Sequence, residues 1–286
     1  MRVIGIVGLG VMGGATGGHL IRAGYEVHGF DIDEKRQVAF AADGGRVHGS
    51  VPELAAEVDT VITWLPSAEA LSETVTGLLT GGKTGLVLVE MGTLSLTAKR
   101  EAHDRLAAAE MAMLDCPVSG TGHQAEDAAL VVLGSGDADV FNDRLDVFAP
   151  LGSARYLGEF GNGSVMKYIA NLLVSVHTVA AAEAHNLGAA SGIDAALVQE
   201  VIAEGVASSR MWDIRGAMMA ASAYEPPAGR LDILKKDAGL IAEHAAAVGT
   251  ATPALNLALE LFTDASAAGL GSLDAAAIKL YLEGLS

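Results

Sequence analysis

The sequence predicts an α/β fold over its first half, a doubly wound and largely parallel sheet, followed by an all-helical second half. Three observations predict it. Short apolar runs alternate with helical patterns up to about residue 160, a glycine-rich turn joins the first run to the first helix, and strand signals stop beyond residues 161–163. The 286 residues suffice for two domains, each with its own core, divided as 1–162 and 163–286.

Residues 3–7 form the first apolar run, and Gly8, Gly10 and Gly13 follow in G-x-G-x-x-G spacing at the start of a helical stretch that ends at Gly24. A second run, 26–30, delivers Asp31 about 20 residues beyond the glycines, where a carboxylate accepts hydrogen bonds from an adenosine ribose. Together these mark a Rossmann-type dinucleotide turn. Gly8 permits the tight turn, Gly10 lets the backbone approach a pyrophosphate, and Gly13 lets helix and strand pack closely. The helix N-terminus then faces the phosphates. Asp31 favours NAD; Lys35 and Arg36 lie near enough to meet a 2′-phosphate, so NADP is possible.

Further strands are expected at 60–65, 86–91, 113–116, 130–134 and 155–157. Residues 164–191 read as one long helix, apolar on nearly every face and therefore expected to be buried. Its length suits a bilayer, but Lys167, Asn171, Ser175, His177, Glu183 and His185 interrupt it and favour a core helix. Helices at 194–206, 208–221, 231–248, 253–268 and 273–282 complete the chain, broken by Pro226, Pro227 and glycines.

A formal net charge of −17 repels phosphate backbones and anionic headgroups, which argues against nucleic acid or a membrane surface as partner. The single cysteine, Cys116, gives no disulfide framework and no C-x-x-C pair, in keeping with a reducing, cytoplasmic setting. No H-E-x-x-H and no Cys–His cluster marks a metal site.

Lys167 and Asn171 stand four apart, so they share a helix face with Ser175 and Thr178. A buried ammonium needs a partner, a rim or a wet cavity. Hydride transfer needs a group that takes the hydroxyl proton, and a lysine amine can do this, its pKa lowered by a second cation such as Lys235 or Lys236. His123 lies beside the turn Ser119–Gly120–Thr121–Gly122, where a substrate contact is plausible on position alone; Arg230 is a second such residue.

The ordered set GLGVMG, TWLPS, MGT, DCPVSGT, GNGSVMKYIAN, LKKDAGL and GLGSLDAAA resembles the β-hydroxyacid dehydrogenase family almost end to end. The resemblance implies an NAD(P)-dependent enzyme that oxidises a small anionic hydroxyacid or runs the reverse reduction. It implies that Gly8, Leu9, Gly10, Val11, Met12, Gly13, Asp31, Leu65, Pro66 and Thr93 contact the dinucleotide. It further implies that Ser119, Gly120 and Thr121 hold the substrate carboxylate through hydroxyl and backbone N–H groups. Lys167 matches the catalytic lysine, Asn171 the orienting asparagine, and Lys236 a lysine near nicotinamide and substrate. No metal is required. The chain departs from the family pattern at Thr121, at Gly92 in place of a serine, at Leu96 in place of a proline, and at Gly229 in place of a frequent phenylalanine. Gly229 would widen the pocket for a larger or more polar acid than 3-hydroxyisobutyrate. The family's dimers and tetramers imply a homo-oligomer. The rival readings are an NADPH-dependent imine or semialdehyde reductase and a non-catalytic dinucleotide-binding module.

Overall fold

The computed structural model describes residues 2–285. The first half runs β1 (Val3–Val7), α1 (Val11–Arg22), β2 (Glu26–Phe30), α2 (Glu34–Ala42), β3 (Arg46–Val47), α3 (Val51–Glu57), β4 (Thr60–Thr63), α4 (Ala68–Gly81), β5 (Val87–Glu90), α5 (Leu96–Ala107) and β6 (Ala112–Asp115). It continues with β7 (Val118–Ser119), α6 (Gly122–Glu126), β8 (Leu130–Gly134), α7 (Ala138–Asn142), α8 (Leu145–Phe148) and β9 (Gly152–Tyr156). The rest is helical: α9 (Asn162–Ala190), α10 (Ala195–Ala203), α11 (Ala217–Ala220), α12 (Leu231–Ala247), α13 (Pro253–Ala265) and α14 (Ile278–Glu283). Two compact units emerge, Met1–Lys167 and Tyr168–Ser286.

In the first unit six parallel strands lie in the order β3-β2-β1-β4-β5-β6. Strand residues alternate between two cores, as a sheet covered on both faces requires. Ile4, Ile6, Ile62, Val87 and Val89 pack into one with Leu20 and Phe40. Val7, Val61 and Leu88 pack into the other with Leu54, Leu71 and Leu78. The chain order reverses between β1 and β4, which creates the crevice where open α/β sheets bind ligands.

The structure amends several expectations. A second, three-stranded sheet, β7-β8-β9, with β7 antiparallel to β8, meets the end of β6 through an isolated antiparallel bridge between Asp115 and Ser135. β3 and β7 are two-residue strands too short to leave a periodic signal. The stretch 208–221 is not one helix, because a π-helical turn at Trp212–Gly216 widens it where Trp212 and Arg215 are buried. Residues 266–270 form a π-type turn beyond α13, with Gly269 at φ +92°.

In the second unit Val179, Ala182, Trp212, Leu231, Phe262 and Ile278 form the core. The long helix α9 is not buried all round. Met166, Ile169 and Leu173, spaced three and four apart, form an exposed apolar row, with Leu187 farther along. Apolar residues on every face describe composition; only the faces that meet other elements become core. Among the described residues α9 is the one helix long and apolar enough to cross a membrane, and a third of that stretch is buried within the protein.

Candidate active site

The glycine turn has the local geometry its spacing demands. Gly8 has φ +93°, and a Cβ on Gly13 would collide with the Gly8 carbonyl. At Gly10 an added Cβ would meet only the Arg36 guanidinium, in ordinary contact at 3.6 Å from Nη1 and 3.9 Å from Cζ. No side chain caps the N-terminus of α1. Its first-turn N–H groups and the open face at Gly10 therefore fit a pyrophosphate.

Asp31 is buried at the end of β2 and braces this turn. Its carboxylate accepts the Leu9 N–H at 2.6 Å and the Asp33 N–H at 2.9 Å, and Arg36 Nη1 lies 3.4 Å from Oδ2. A carboxylate has lone pairs to spare for ribose hydroxyls beyond these bonds. Arg36, half exposed, stands where a 2′-phosphate would meet it.

Leu65 and Pro66 follow β4, which pairs with β1, and Thr93 follows β5, the next strand out. The turns adjoin: a Cβ on Gly92 would lie 3.2 Å from the Leu65 carbonyl oxygen. Ser119, Gly120 and Thr121 lead from β7 into α6, and a Cβ on Gly122 would lie 3.2 Å from Val11 Cγ1. The first unit thus brings the glycine turn and the Ser-Gly-Thr turn together.

The Ser-Gly-Thr turn is also held from within. Thr121 caps α6 in a reciprocal box with Gln124, and its N–H donates to Gln124 Oε1 at 3.1 Å. That N–H is engaged locally, while Ser119 is exposed and Gly120 has φ +149°. His123 is exposed between Glu126 and Asp127, 3.8 and 3.6 Å away.

The N-terminus of α9 is capped from outside. Ser164 donates its N–H to Asp115 Oδ2 at 2.7 Å and its hydroxyl to Oδ1 at 2.8 Å. Ser135 Oγ accepts the N–H groups of Gly161 and Gly163, at 3.2 and 2.9 Å. These bonds satisfy the first-turn donors and fix the phase of the helix. Lys167 stands three residues beyond Ser164 on α9, and Asn171 one turn farther.

In the second unit Asn171 Nδ2 donates to Asp237 Oδ2 at 2.8 Å, and Lys236 Nζ lies 3.2 Å from Asp237 Oδ1. Lys235 instead binds Ser266 Oγ at 2.7 Å and Asp232 at 3.0 Å. The polar row continues through buried Ser175 to Thr178, whose hydroxyl accepts from Arg215 Nη1 at 3.0 Å. Arg215, paired with buried Asp274 at 3.3 Å, lies beside Gly229. A Cβ there would lie 3.1 Å from Arg215 Nη2, so a guanidinium borders the space that the missing side chain leaves. Arg230 precedes α12 and bridges to Asp274 through its backbone.

Sequence reading passed over two groups. Asp237, next to Lys236 in the KKD motif, is the buried acid that holds Asn171. Lys99, Glu90 and Asp115 form a fully buried cluster beside the Thr93 turn. Burial pulls the Lys99 ammonium down, but Asp115 and Glu90 together outweigh it and hold the lysine above its ordinary range. One lysine offsets one carboxylate, and burial pushes Glu90 up, with Lys99 countering only in part. Burial likewise raises the Cys116 thiol, which makes it a poor nucleophile.

Among the described residues one set of metal-type ligand atoms lies within 4.8 Å, on His28, His48 and Glu57. His48 Nε2 and His28 Nδ1 are hydrogen-bonded at 3.0 Å and Arg46 pairs with Glu57 at 2.6 Å, so each has a protein partner.

Two family models cover nearly the whole chain. Residues 3–166 match the NAD binding domain of 6-phosphogluconate dehydrogenase, and residues 161–281 match the NAD-binding domain of NADP-dependent 3-hydroxyisobutyrate dehydrogenase. The chain belongs to the β-hydroxyacid dehydrogenase family. It is 33% identical to an L-threonate dehydrogenase of Cupriavidus necator, over 98% of this chain and 96% of that one. An NAD-dependent L-serine dehydrogenase of Pseudomonas aeruginosa is 31% identical over 92% of this chain and 91% of its own. The solved structure of Mycobacterium tuberculosis 3-hydroxyisobutyrate dehydrogenase with L-serine superposes with a TM-score of 0.92 at 29% identity, covering 99% of both chains. An imine reductase from Myxococcus stipitatus, at 17% identity and a TM-score of 0.68, shares the fold. This β-hydroxyacid dehydrogenase-family chain is therefore an NAD(P)-binding oxidoreductase with a Rossmann-type N-terminal half and a helical C-terminal half.

Proposed function

We propose that this chain transfers a hydride between NAD and a small β-hydroxyacid, with Lys167 as proton acceptor in oxidation and donor in reduction. The observation that carries this reading is the placement of Lys167 and Asn171 one turn apart on a helix whose N-terminus is pinned by Asp115 and Ser135. NAD, when bound, supplies the hydride acceptor. Gly8, Leu9, Gly10, Val11, Met12 and Gly13 receive its pyrophosphate, Asp31 its ribose, and Leu65, Pro66 and Thr93 line the turns beyond. The Ser119 hydroxyl and the Gly120 backbone hold the substrate carboxylate, with Thr121 shaping that turn. Lys167 Nζ takes the hydroxyl proton as the carbinol hydrogen leaves as hydride. Asn171, its amide fixed by Asp237, orients lysine and substrate, and Lys236 adds positive charge to an acidic chain.

The names of the relatives favour 3-hydroxyisobutyrate, L-threonate or L-serine as substrate. Arg215 beside Gly229 favours the more polar, hydroxylated acids among them. The division of labour follows the notional halves 1–162 for dinucleotide and 163–286 for substrate and oligomerisation. Homodimer or homotetramer formation is supported by exposed Ile169, Leu173, Leu187, Leu197 and Val201 on α9 and α10. A cytoplasmic location fits the lone buried thiol, and the hydrogen bonds from Ser164, Asn171 and Asn186 tie α9 to protein rather than lipid.

The test is absorbance of reduced nicotinamide with NAD and NADP against 3-hydroxyisobutyrate, glycerate, L-threonate and L-serine. NAD-linked turnover with one preferred acid supports the reading. Silence with every acid, despite tight cofactor binding, moves the assignment to imine reduction or to a binding role. Light scattering that gives a monomer mass at all concentrations removes the oligomer.

A further inference from the structure

We infer that Lys99, with Glu90 and Asp115, is a positioning unit that locks the Met91–Thr93 turn and the N-terminus of α9 into one register, and so sets where cofactor and Lys167 sit. The inference rests on the reading above for the roles of Thr93 and Lys167.

All three side chains are fully buried. They come from three elements: Glu90 ends β5, Lys99 lies on α5, and Asp115 ends β6. Lys99 Nζ donates to the Gly92 carbonyl at 2.8 Å and to Asp115 Oδ1 at 2.8 Å, and pairs with Glu90. Glu90 Oε1 accepts the Gly92 N–H at 2.7 Å. Both backbone groups of Gly92 are thus gripped by the cluster. Asp115 in turn accepts the Ser164 N–H and hydroxyl. The result is a continuous chain of charge-assisted bonds from the residue before Thr93 to the residue three before Lys167.

The glycine at 92 belongs to the same device. A Cβ there would stand 2.7 Å from Glu90 Oε1, so a larger residue at 92 would force the Glu90 carboxylate to shift from the bond it makes to that N–H. The departure from the family's serine falls at the residue whose N–H Glu90 holds. A cluster of this cost is poor stabilisation, since burying charges forfeits solvation that neutral packing would not. Holding two turns in fixed register is what it supplies that apolar side chains cannot.

The experiment compares the parent with Lys99→Met and with the double variant Lys99→Met/Glu90→Gln, reading Tm, NAD dissociation constant by titration, and kcat against KM. Lys99→Met leaves two buried carboxylates without a cation and lowers Tm. The double variant removes the surplus charge and restores Tm, because Asp115 keeps its serine donors. It still lacks the Nζ tie to the Gly92 carbonyl. Its kcat is expected to remain about tenfold low and its NAD dissociation constant about fivefold high, with KM for the acid within about twofold. Recovery of kcat and NAD affinity together with Tm overturns the inference and makes the cluster structural only. If the parent turns over no hydroxyacid, the reading of Lys167 falls, and the NAD titration alone decides between the same two outcomes for the Met91–Thr93 turn. If the double variant does not fold, Ser164→Ala cuts the network at α9: a severalfold loss of kcat with unchanged NAD affinity supports the inference, and parent-like kcat overturns it.

Discussion

Asn171 and Asp237 lock together, the asparagine Nδ2 donating to the buried carboxylate at 2.8 Å. A carboxylate accepts and does not donate, so the amide nitrogen must face Asp237 and the amide oxygen must face the other way. That oxygen is then available to accept from an ammonium or a substrate hydroxyl. Asp237→Asn offers the asparagine a partner that tolerates either orientation. The expected outcome is a loss of kcat of about tenfold, with NAD affinity unchanged. Asn171→Asp faces one carboxylate with another at hydrogen-bond distance and is expected to lose more, about 100-fold. Steady-state kinetics on both variants checks the order; equal activity in all three proteins contradicts the link.

Cofactor choice follows from Asp31 and Arg36. Asp31→Asn keeps an acceptor for the Leu9 N–H but removes the charge that Arg36 faces at 3.4 Å. The ratio of kcat/KM for NAD to that for NADP is expected to fall by about tenfold or more, equivalent to roughly 1.4 kcal/mol. Arg36→Ala is expected to move the ratio the other way. A ratio unmoved by either substitution places the ribose elsewhere.

Glu90 gives a signed pH effect. Burial raises its carboxyl in the folded protein, so the folded state holds this proton more tightly than the unfolded chain does. Its contribution to stability is complete below the ordinary carboxylate range, about pH 4.3, and is lost as pH rises through the raised folded value. Glu90→Gln removes that loss while keeping an oxygen for the Gly92 N–H. Its Tm is expected to match or exceed the parent's near about pH 8, with the advantage shrinking toward about pH 5. Calorimetry at the two pH values checks this; a large loss of Tm at the higher pH with no pH dependence contradicts it.

The parts of the molecule legible in the sequence were those whose causes are local. The glycine turn, Asp31 and the strand at 130–134 lie within windows of a few residues to a few tens, where spacing and alternation carry the signal. β3 and β7 were not legible, because a two-residue strand has no period. Lys99 was not legible because a lysine on a helix with Arg100 and Glu101 reads as a solvated face. Only the fold brings Glu90 and Asp115 to it, from nine residues before and 16 after. Asp237 was hidden differently. It sits beside Lys236 in a charged run that gives no sign of burial, and its partner Asn171 is 66 residues away in sequence. The π-turn at Trp212–Gly216 likewise answers to the burial of Trp212 and Arg215 and not to any local propensity.

Whether Lys167 carries the proton is decided by single-turnover hydride transfer in Lys167→Ala beside the parent, with NAD affinity measured in parallel. A proton-carrying Lys167 gives a loss of about 10²–10⁴-fold in the chemical step, an NAD dissociation constant within about twofold of the parent, and partial rescue by added small amines. A variant that keeps more than about a tenth of the parent's rate, or that loses rate only in step with cofactor affinity, contradicts it.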